Sequence, residues 1–397
     1  MSKKTLLQIN VTANWGSTGK IAEQIGVCAQ QHGWESYIAY GRYMNPSENH
    51  LIKIGSQLDV YEHYAESRLL DNEGLASRRA TRHFLRQVDE IHPDIVHLHN
   101  IHDHYLNYPL LFHYLAERNI PVVWTFHDCW AFTGDCGHFV IAQCERWKTG
   151  CHNCPQMPRL TPDCTKRNYL AKKEAFTALK NLTIVPVSKW AEGLIRESFL
   201  AKYPIQTIYN GIDINVFKTE ASNLRQRLDL GNKFVMVGVA STWDMAKGLA
   251  DYYKLNDHLP EGYQIILIGM TKKQIAQLPK GIIGIERTQN QKELAQYYSM
   301  ADITLNLSYQ ETFGLTTVEG MACGTPAIVY NKTASPELVS EDTGVIVPAG
   351  DIPALVSAIK NMKENPLSST ACKQRVEAMF DKNKCFTQYI DLYNQLL

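Results

Sequence analysis

The chain has 397 residues, too many for one small core, and its 45% apolar and 20% charged content is that of an ordinary globular protein. Forty Lys and Arg cancel forty Asp and Glu, which removes the global field that would gather nucleic acid, so no nucleic-acid partner is expected. No apolar run reaches the ~20 residues of a membrane span, and the opening MSKKTLLQINV reads as a strand behind two lysines rather than a secretory signal, so a cytoplasmic location is expected.

In chain order, LLQINV, ESYIAYG, DIVHLHN, IPVVWTFHD and LTIVPVS read as strands, with helix-period segments such as KIAEQIGVCAQQHG and RRATRHFLRQVDEIH between them. Such alternation predicts an α/β chain with a doubly wound parallel sheet. The first strand runs into ANWGSTGKIAEQI, a tight turn carrying Gly16 and Gly19. It is not a nucleoside-triphosphate loop: Asn14 stands where the first Gly is required, and Ile21 replaces the hydroxyl that would hold Mg²⁺. A helix starting there still offers its first amides to a phosphate, a sugar or a peptide. His97, His99, His102 and His104 in VHLHNIHDHYLN suggest a second metal, an idea kept open because His97 and His99 share one strand face, but they are read as strand-end and acceptor-cleft histidines. Arg78, Arg79, Arg82 and Arg86 lie on one predicted helix, a solvated face that could also meet anionic lipid.

Six of the ten cysteines fall between Cys129 and Cys164. Clustering in a cytosolic chain favours metal over disulfides. Cys136, Cys144, Cys151 and Cys154 end in a C-x-x-C knuckle and predict a closed, structural zinc site that pins the loop following His127. His138 and His152 are weaker alternatives as ligands.

The pattern restarts after IQTIYNGIDINVF: FVMVGVAS, YQIILIG, GIIGIER, DITLNLS and TPAIVYN are strands, and LAQYYSMA and TTVEGMACG are helices. Two Rossmann-like domains follow, 1–208 and 209–378, with a terminal helix in 379–397 packing back on the first. Facing one another, they would leave a cleft lined by strand ends. In SYQETFGLTTVEGMACGTPAIV, Glu311 is expected at a strand end and Glu319 in the first turn of the next helix. The amides near Gly314, Leu315 and Thr316 would then face a diphosphate. On spacing alone, Glu319 could equally serve its own helix and Glu311 could be a solvated loop residue.

The whole set resembles the family 4 retaining glycosyltransferases of GT-B fold over nearly the entire chain. The resemblance is carried by E-x7-E within QETFGLTTVEGMACGTP, by Tyr209-Asn210-Gly211-Ile212-Asp213, by PDIVHLH and TFHD, by Val187-Ser188 and by Lys247-Gly248. The cysteine run is similar to that of one subset of the family, of the type found in bacterial capsule and colanic-acid-type exopolysaccharide enzymes, with Cys129 and Cys164 peripheral to it. The resemblance implies that Glu319 binds the ribose of a UDP- or GDP-sugar and Glu311 the hydroxyls of its sugar. It implies that Lys247 neutralises the diphosphate, that His127 contacts the sugar near its reacting carbon, and that Asn210 lies at the domain junction. Gly16 and Gly19 become a phosphate-facing turn. Retention without a catalytic metal is implied, by a front-face route in which the leaving phosphate takes the acceptor's proton. The acceptor would be a glycan or a lipid-linked sugar, with peripheral membrane contact allowed. The family commonly places an arginine beside the phosphate lysine. ASTWDMAKG has none, leaving Arg42 and Arg287 as candidates. A nucleotide-sugar epimerase or hydrolase, or a non-catalytic sugar-binding scaffold, are the competing functions.

Overall fold

The structure is a computed structural model describing residues 3–156 and 162–397, so residues 157–161 of the cysteine-rich segment lie outside the described residues. It divides into two compact units, Met1–Tyr209 with Cys385–Leu397, and Asn210–Lys384. The first holds β1 (Thr5–Asn10), β2 (Glu35–Tyr40), β3 (His50–Lys53), β4 (Ile95–Leu98), β5 (Val122–Phe126) and β6 (Leu182–Pro186). The second holds β7 (Phe234–Val239), β8 (Tyr263–Ile268), β9 (Ile282–Ile285), β10 (Ile303–Asn306), β11 (Ala327–Tyr330) and β12 (Gly344–Val347).

Every strand pairing in both sheets is parallel. The orders are β3-β2-β1-β4-β5-β6 and β12-β11-β10-β7-β8-β9. Counted from its own first strand, each is the doubly wound order 3-2-1-4-5-6. The inner strands β1 and β5 and the edge strand β6 are buried along their whole length, which is why they read as near-continuous apolar runs. The edge strands β3 and β12 are half-exposed and only four residues long, too short and too mixed for periodicity to reveal them.

The last helix spans Lys382–Leu396. Its Phe386, Tyr389, Ile390 and Tyr393 join Leu6, Ile21, Ile25 and Trp34 in a buried cluster on the first sheet. Tyr393 OH lies 2.6 Å from His97 Nδ1, a polar tie inside that apolar packing. Among the described residues no helix is long and apolar enough to cross a membrane.

Candidate functional site

In a doubly wound sheet, ligands bind beyond the strand ends where the order reverses. In the second unit that point is the β10–β7 pair, and the predicted residues gather there. Lys247 follows β7 and Glu311 follows β10. Lys247 Nζ lies 2.6 Å from Glu311 Oε1, with side chains 29% and 15% exposed. The loop bearing Glu311 is fixed by its backbone. Glu311 N–H donates to Thr333 Oγ1 (2.9 Å), and Tyr309 N–H donates to the Ala246 carbonyl (2.8 Å). Tyr309 OH donates to the buried Asp251 (2.7 Å).

The helix Leu315–Ala322 starts at Gly314, whose φ of 107° belongs to the left-handed region that glycine adopts without strain. No side chain caps it and its first turn holds no acid, so the amides of Leu315 and Thr316 keep the positive helix end open to an anion. Glu319 is the fifth residue of this helix. It stands in the second turn rather than the predicted first, because the helix begins only after the Gly314 turn. Tyr298 OH, itself buried, donates to Glu319 Oε2 (3.0 Å). Neither Tyr298 nor Thr333 carried a sequence signal for these roles. Arg287 follows β9, two strands from β7, and is exposed.

In the first unit the reversal lies between β1 and β4. The helix Gly16–Gln31 opens there, also uncapped and with no acid in its first turn. Gly19 is required by close approach: a Cβ would stand 2.6 Å from Thr12 Oγ1. Arg42 stacks near Tyr43 (5.3 Å), and its buried Nε has no hydrogen-bond partner. Asn210 is buried at the start of the second unit, its Oδ1 likewise without a partner.

His127 follows β5. Its Nε2 lies 3.1 Å from His99 Nδ1, and His99 Nε2 lies 3.0 Å from Gln8 Oε1. Gln8 was not singled out in the sequence, although a lone amide inside the apolar TLLQIN was its signal. Asp128 takes His102 Nε2 at one oxygen (2.8 Å) and the Trp130 amide at the other (2.8 Å). Burial works against charge on both members of this pair. The charge and hydrogen bond of His102 nonetheless bring Asp128 down to about 2, and Asp128 and Asp103 hold His102 well above the usual imidazole value.

Glu73, His102 and Asp103 bring one potential metal-ligating atom each within 4.8 Å of one another, the grouping of that kind among the described residues. The four predicted zinc ligands are more loosely gathered, since no three of their sulfurs meet that limit. Cys136, Cys144 and Cys151 form no disulfide. Burial pushes Cys136 up to about 12, with Cys151 and Cys154 adding to it, and Cys151 up to about 11, with Cys144 and Cys154 adding.

The comparisons with known proteins agree with this layout. The chain matches the family model "Glycosyltransferase Family 4" over residues 19–216 and "Glycosyl transferases group 1" over residues 214–379. It is 22% identical to WcaC of Escherichia coli K12, named for glycosyl transfer in colanic acid biosynthesis, over 98% of this chain and all of that one. It is 25% identical to the alpha-monoglucosyldiacylglycerol synthase of Acholeplasma laidlawii over 79% of each chain. Sucrose-phosphate synthase of Thermosynechococcus elongatus has a similar fold, with a TM-score of 0.74 at 18% identity and 99% of both chains covered. HepE of Anabaena in complex with UDP-glucose matches with a TM-score of 0.66 at 15% identity, covering 98% of this chain and 99% of that one.

The electrostatics around His127 set a pH dependence. Burial brings His127 down to about 4 against the opposing charge of Asp128, and it holds His97 and His99 well below their usual value. Unfolded, these histidines take protons near about 6.5. Their contribution to stability is therefore complete above that pH and is lost as pH falls below it, for His127 toward about 4. The raised His102 acts with the opposite sign but above about 6.5, whereas Asp71, which burial raises to about 6, opposes the histidines inside the window, so the His127 part is read from the difference between wild type and variant. In urea titrations the first unit should lose on the order of 2 kcal/mol between pH 6.5 and 4 through His127, and His127→Gln should flatten that slope. An unchanged slope in the variant would refute the buried, neutral assignment.

Proposed function

We propose, for a chain that belongs to the family 4 glycosyltransferases and is a GT-B glycosyltransferase, that its donor is a nucleoside-diphosphate sugar and its acceptor a glycan or lipid-linked sugar of a surface polysaccharide. The observation that carries this is the β10–β7 switch point. There a lysine, two carboxylates and an uncapped helix start converge within one unit. A UDP-glucose complex in the HepE neighbour and the colanic acid name of the WcaC relative support it.

On this reading Lys247 leaves Glu311 for the diphosphate, and Glu311, so released, accepts from hydroxyls of the sugar. The amides of Leu315 and Thr316 take phosphate oxygens, and Glu319 accepts from the ribose hydroxyls. In the first unit, His127 is the candidate for a sugar contact and the Gly16–Gly19 turn the candidate for a phosphate contact. The positive groups stabilise charge that grows on the leaving nucleoside diphosphate, which is where the catalytic advantage lies. The leaving phosphate oxygen takes the acceptor's proton as the new bond forms on the same face, so configuration is retained with no protein nucleophile. By calorimetry, Glu319→Ala should weaken UDP- or GDP-sugar binding at least roughly tenfold, and Lys247→Ala should slow transfer about 10²–10³-fold without unfolding the chain. Unchanged donor affinity in Glu319→Ala would sink the ribose assignment. Conversion of donor without any acceptor would favour an epimerase or hydrolase.

For the cysteine loop we propose that Cys136, Cys144, Cys151 and Cys154 hold a structural zinc ion. Four thiols on one loop, with Cys151 and Cys154 adding to the raised proton affinity of Cys136 and Cys144 and Cys154 to that of Cys151, form a donor set of the right chemistry. Around a cation, the charge of the metal would offset the desolvation and mutual repulsion that keep Cys136 and Cys151 protonated. Elemental analysis should find about one zinc per chain, and a chelator should expose thiols to an aromatic disulfide reagent while donor affinity holds. Metal-free protein with full stability would rule the site out.

A lipid-linked acceptor is favoured by the helix Gln57–Leu70. Leu58, Tyr61 and Leu69 share one face at 71%, 61% and 71% exposure. A groove between this helix and Arg78–Ile91 is lined by Leu58, by Lys53, Arg78, Arg79 and Arg86, and by Asp59, Glu62 and Glu66, so the apolar face of the helix carries the reading and the basic side chains are what an anionic bilayer would meet. Flotation with vesicles rich in anionic lipid should capture the protein, and Leu58→Asp with Leu69→Asp should release it. Equal recovery with neutral vesicles would remove the membrane contact.

A further inference from the structure

We propose that Gln8 and His99 fix the tautomer of His127, so that His127 meets its substrate through an unprotonated Nδ1 that accepts a hydrogen bond from a sugar hydroxyl. The donor directions follow one from another. Gln8 Nε2 donates to the Ala22 carbonyl (2.8 Å). A carbonyl can only accept, so the amide is oriented and Gln8 Oε1 must be the atom facing His99 Nε2 (3.0 Å). His99 Nε2 therefore carries the proton. In a neutral ring the other nitrogen is then a lone pair, so His99 Nδ1 accepts from His127 Nε2 (3.1 Å). His127 Nε2 is consequently the N–H, and Nδ1 is left as an acceptor.

Burial keeps both rings neutral at pH 7. Two neighbours that could upset the relay are engaged elsewhere. His97, its ring tilted against that of His99 at 4.1 Å, has Tyr393 OH at 2.6 Å and Thr125 Oγ1 at 2.7 Å on its two nitrogens. Asp128 spends its oxygens on His102 and the Trp130 amide. An Nδ1 lone pair repels phosphate and carboxylate oxygens and takes hydroxyls, so His127 selects for the sugar end of a substrate rather than its phosphate end. Gln8 and His99 are positioning residues, since they act only through His127.

That the hydroxyl belongs to a sugar rests on the glycosyltransferase reading; the tautomer does not. Long-range ¹H–¹⁵N correlation of histidine-labelled protein, with His127→Gln to assign the signals, reads the ring without substrate. At neutral pH a protonated Nε2 and an unprotonated Nδ1 are expected for His127. The reverse pattern, or an imidazolium, would overturn the relay and leave the glycosyltransferase reading standing. Gln8→Leu removes the acceptor that starts the chain. It should shift the His127 nitrogens toward a mixture of tautomers and lower kcat roughly tenfold or more, with donor KM little changed. Unaltered ring shifts in a folded Gln8→Leu protein would equally overturn it.

Discussion

Where β1 meets β4 and β10 meets β7, the connections on either side wind in opposite senses, and the backbone beyond those strand ends is left without a covering helix. The rest of the molecule is arranged around these two gaps. Lys247 and Glu311 occur on the loops that leave β7 and β10, and the Gly16–Gln31 and Leu315–Ala322 helices begin beside their gaps without a cap. Some helix starts are satisfied by side chains, as at Ser56, Asn107, Ser188 and Asn290. These two, like those of Arg78–Ile91 and Leu249–His258, are not, and their positive ends stay available beside the strand ends.

Strand and helix alternation made both sheets legible, because strands buried on two faces must be apolar runs. Legibility stopped where burial became one-sided, as at β3 and β12. It stopped again where a residue's role depends on a partner distant in sequence. Glu311 and Glu319 were visible as a spaced pair, but Thr333 and Tyr298, which hold them, sit in ordinary contexts 22 and 21 residues away. Gln8 is an intermediate case. Its polarity inside β1 was visible, but the need for it appears only once His99, 91 residues on, is brought alongside. The Glu319 placement shows a different limit, since a turn of positive φ at Gly314 delays a helix start that composition alone would put earlier.

The loop after β5 is fastened at both ends without reference to any metal. At its start, Lys172 donates to the Trp130 carbonyl (2.8 Å) and lies 3.5 Å from the centre of the Trp130 ring, and burial lowers this lysine to about 8. At its end, Cys164 N–H donates to Asp71 Oδ2 (2.7 Å), and Asn168 donates to the Asp71 carbonyl (2.7 Å). His127 and Asp128 precede this segment directly, so their geometry depends on the fastened base of the loop. An ion held by the cysteines, as proposed above, would tie Cys136, Cys144, Cys151 and Cys154 together without using any of these bonds at the base.

In the second unit, position and charge are held by different interactions. The Glu311 loop is anchored by backbone hydrogen bonds to Thr333 and Ala246 and by Tyr309 on the buried Asp251. Tyr330 OH donates to the same Asp251 oxygen at 3.0 Å. None of these bonds involves the Glu311 carboxylate or the Lys247 ammonium. Their mutual ion pair is partly exposed, and pairs of that kind contribute only about 0–1 kcal/mol. Separating them would therefore cost little and would leave the backbone bonds of the loop in place. With no arginine between Ser241 and Ala246, an anion at this switch point, as proposed above, would meet one lysine and the bare helix start.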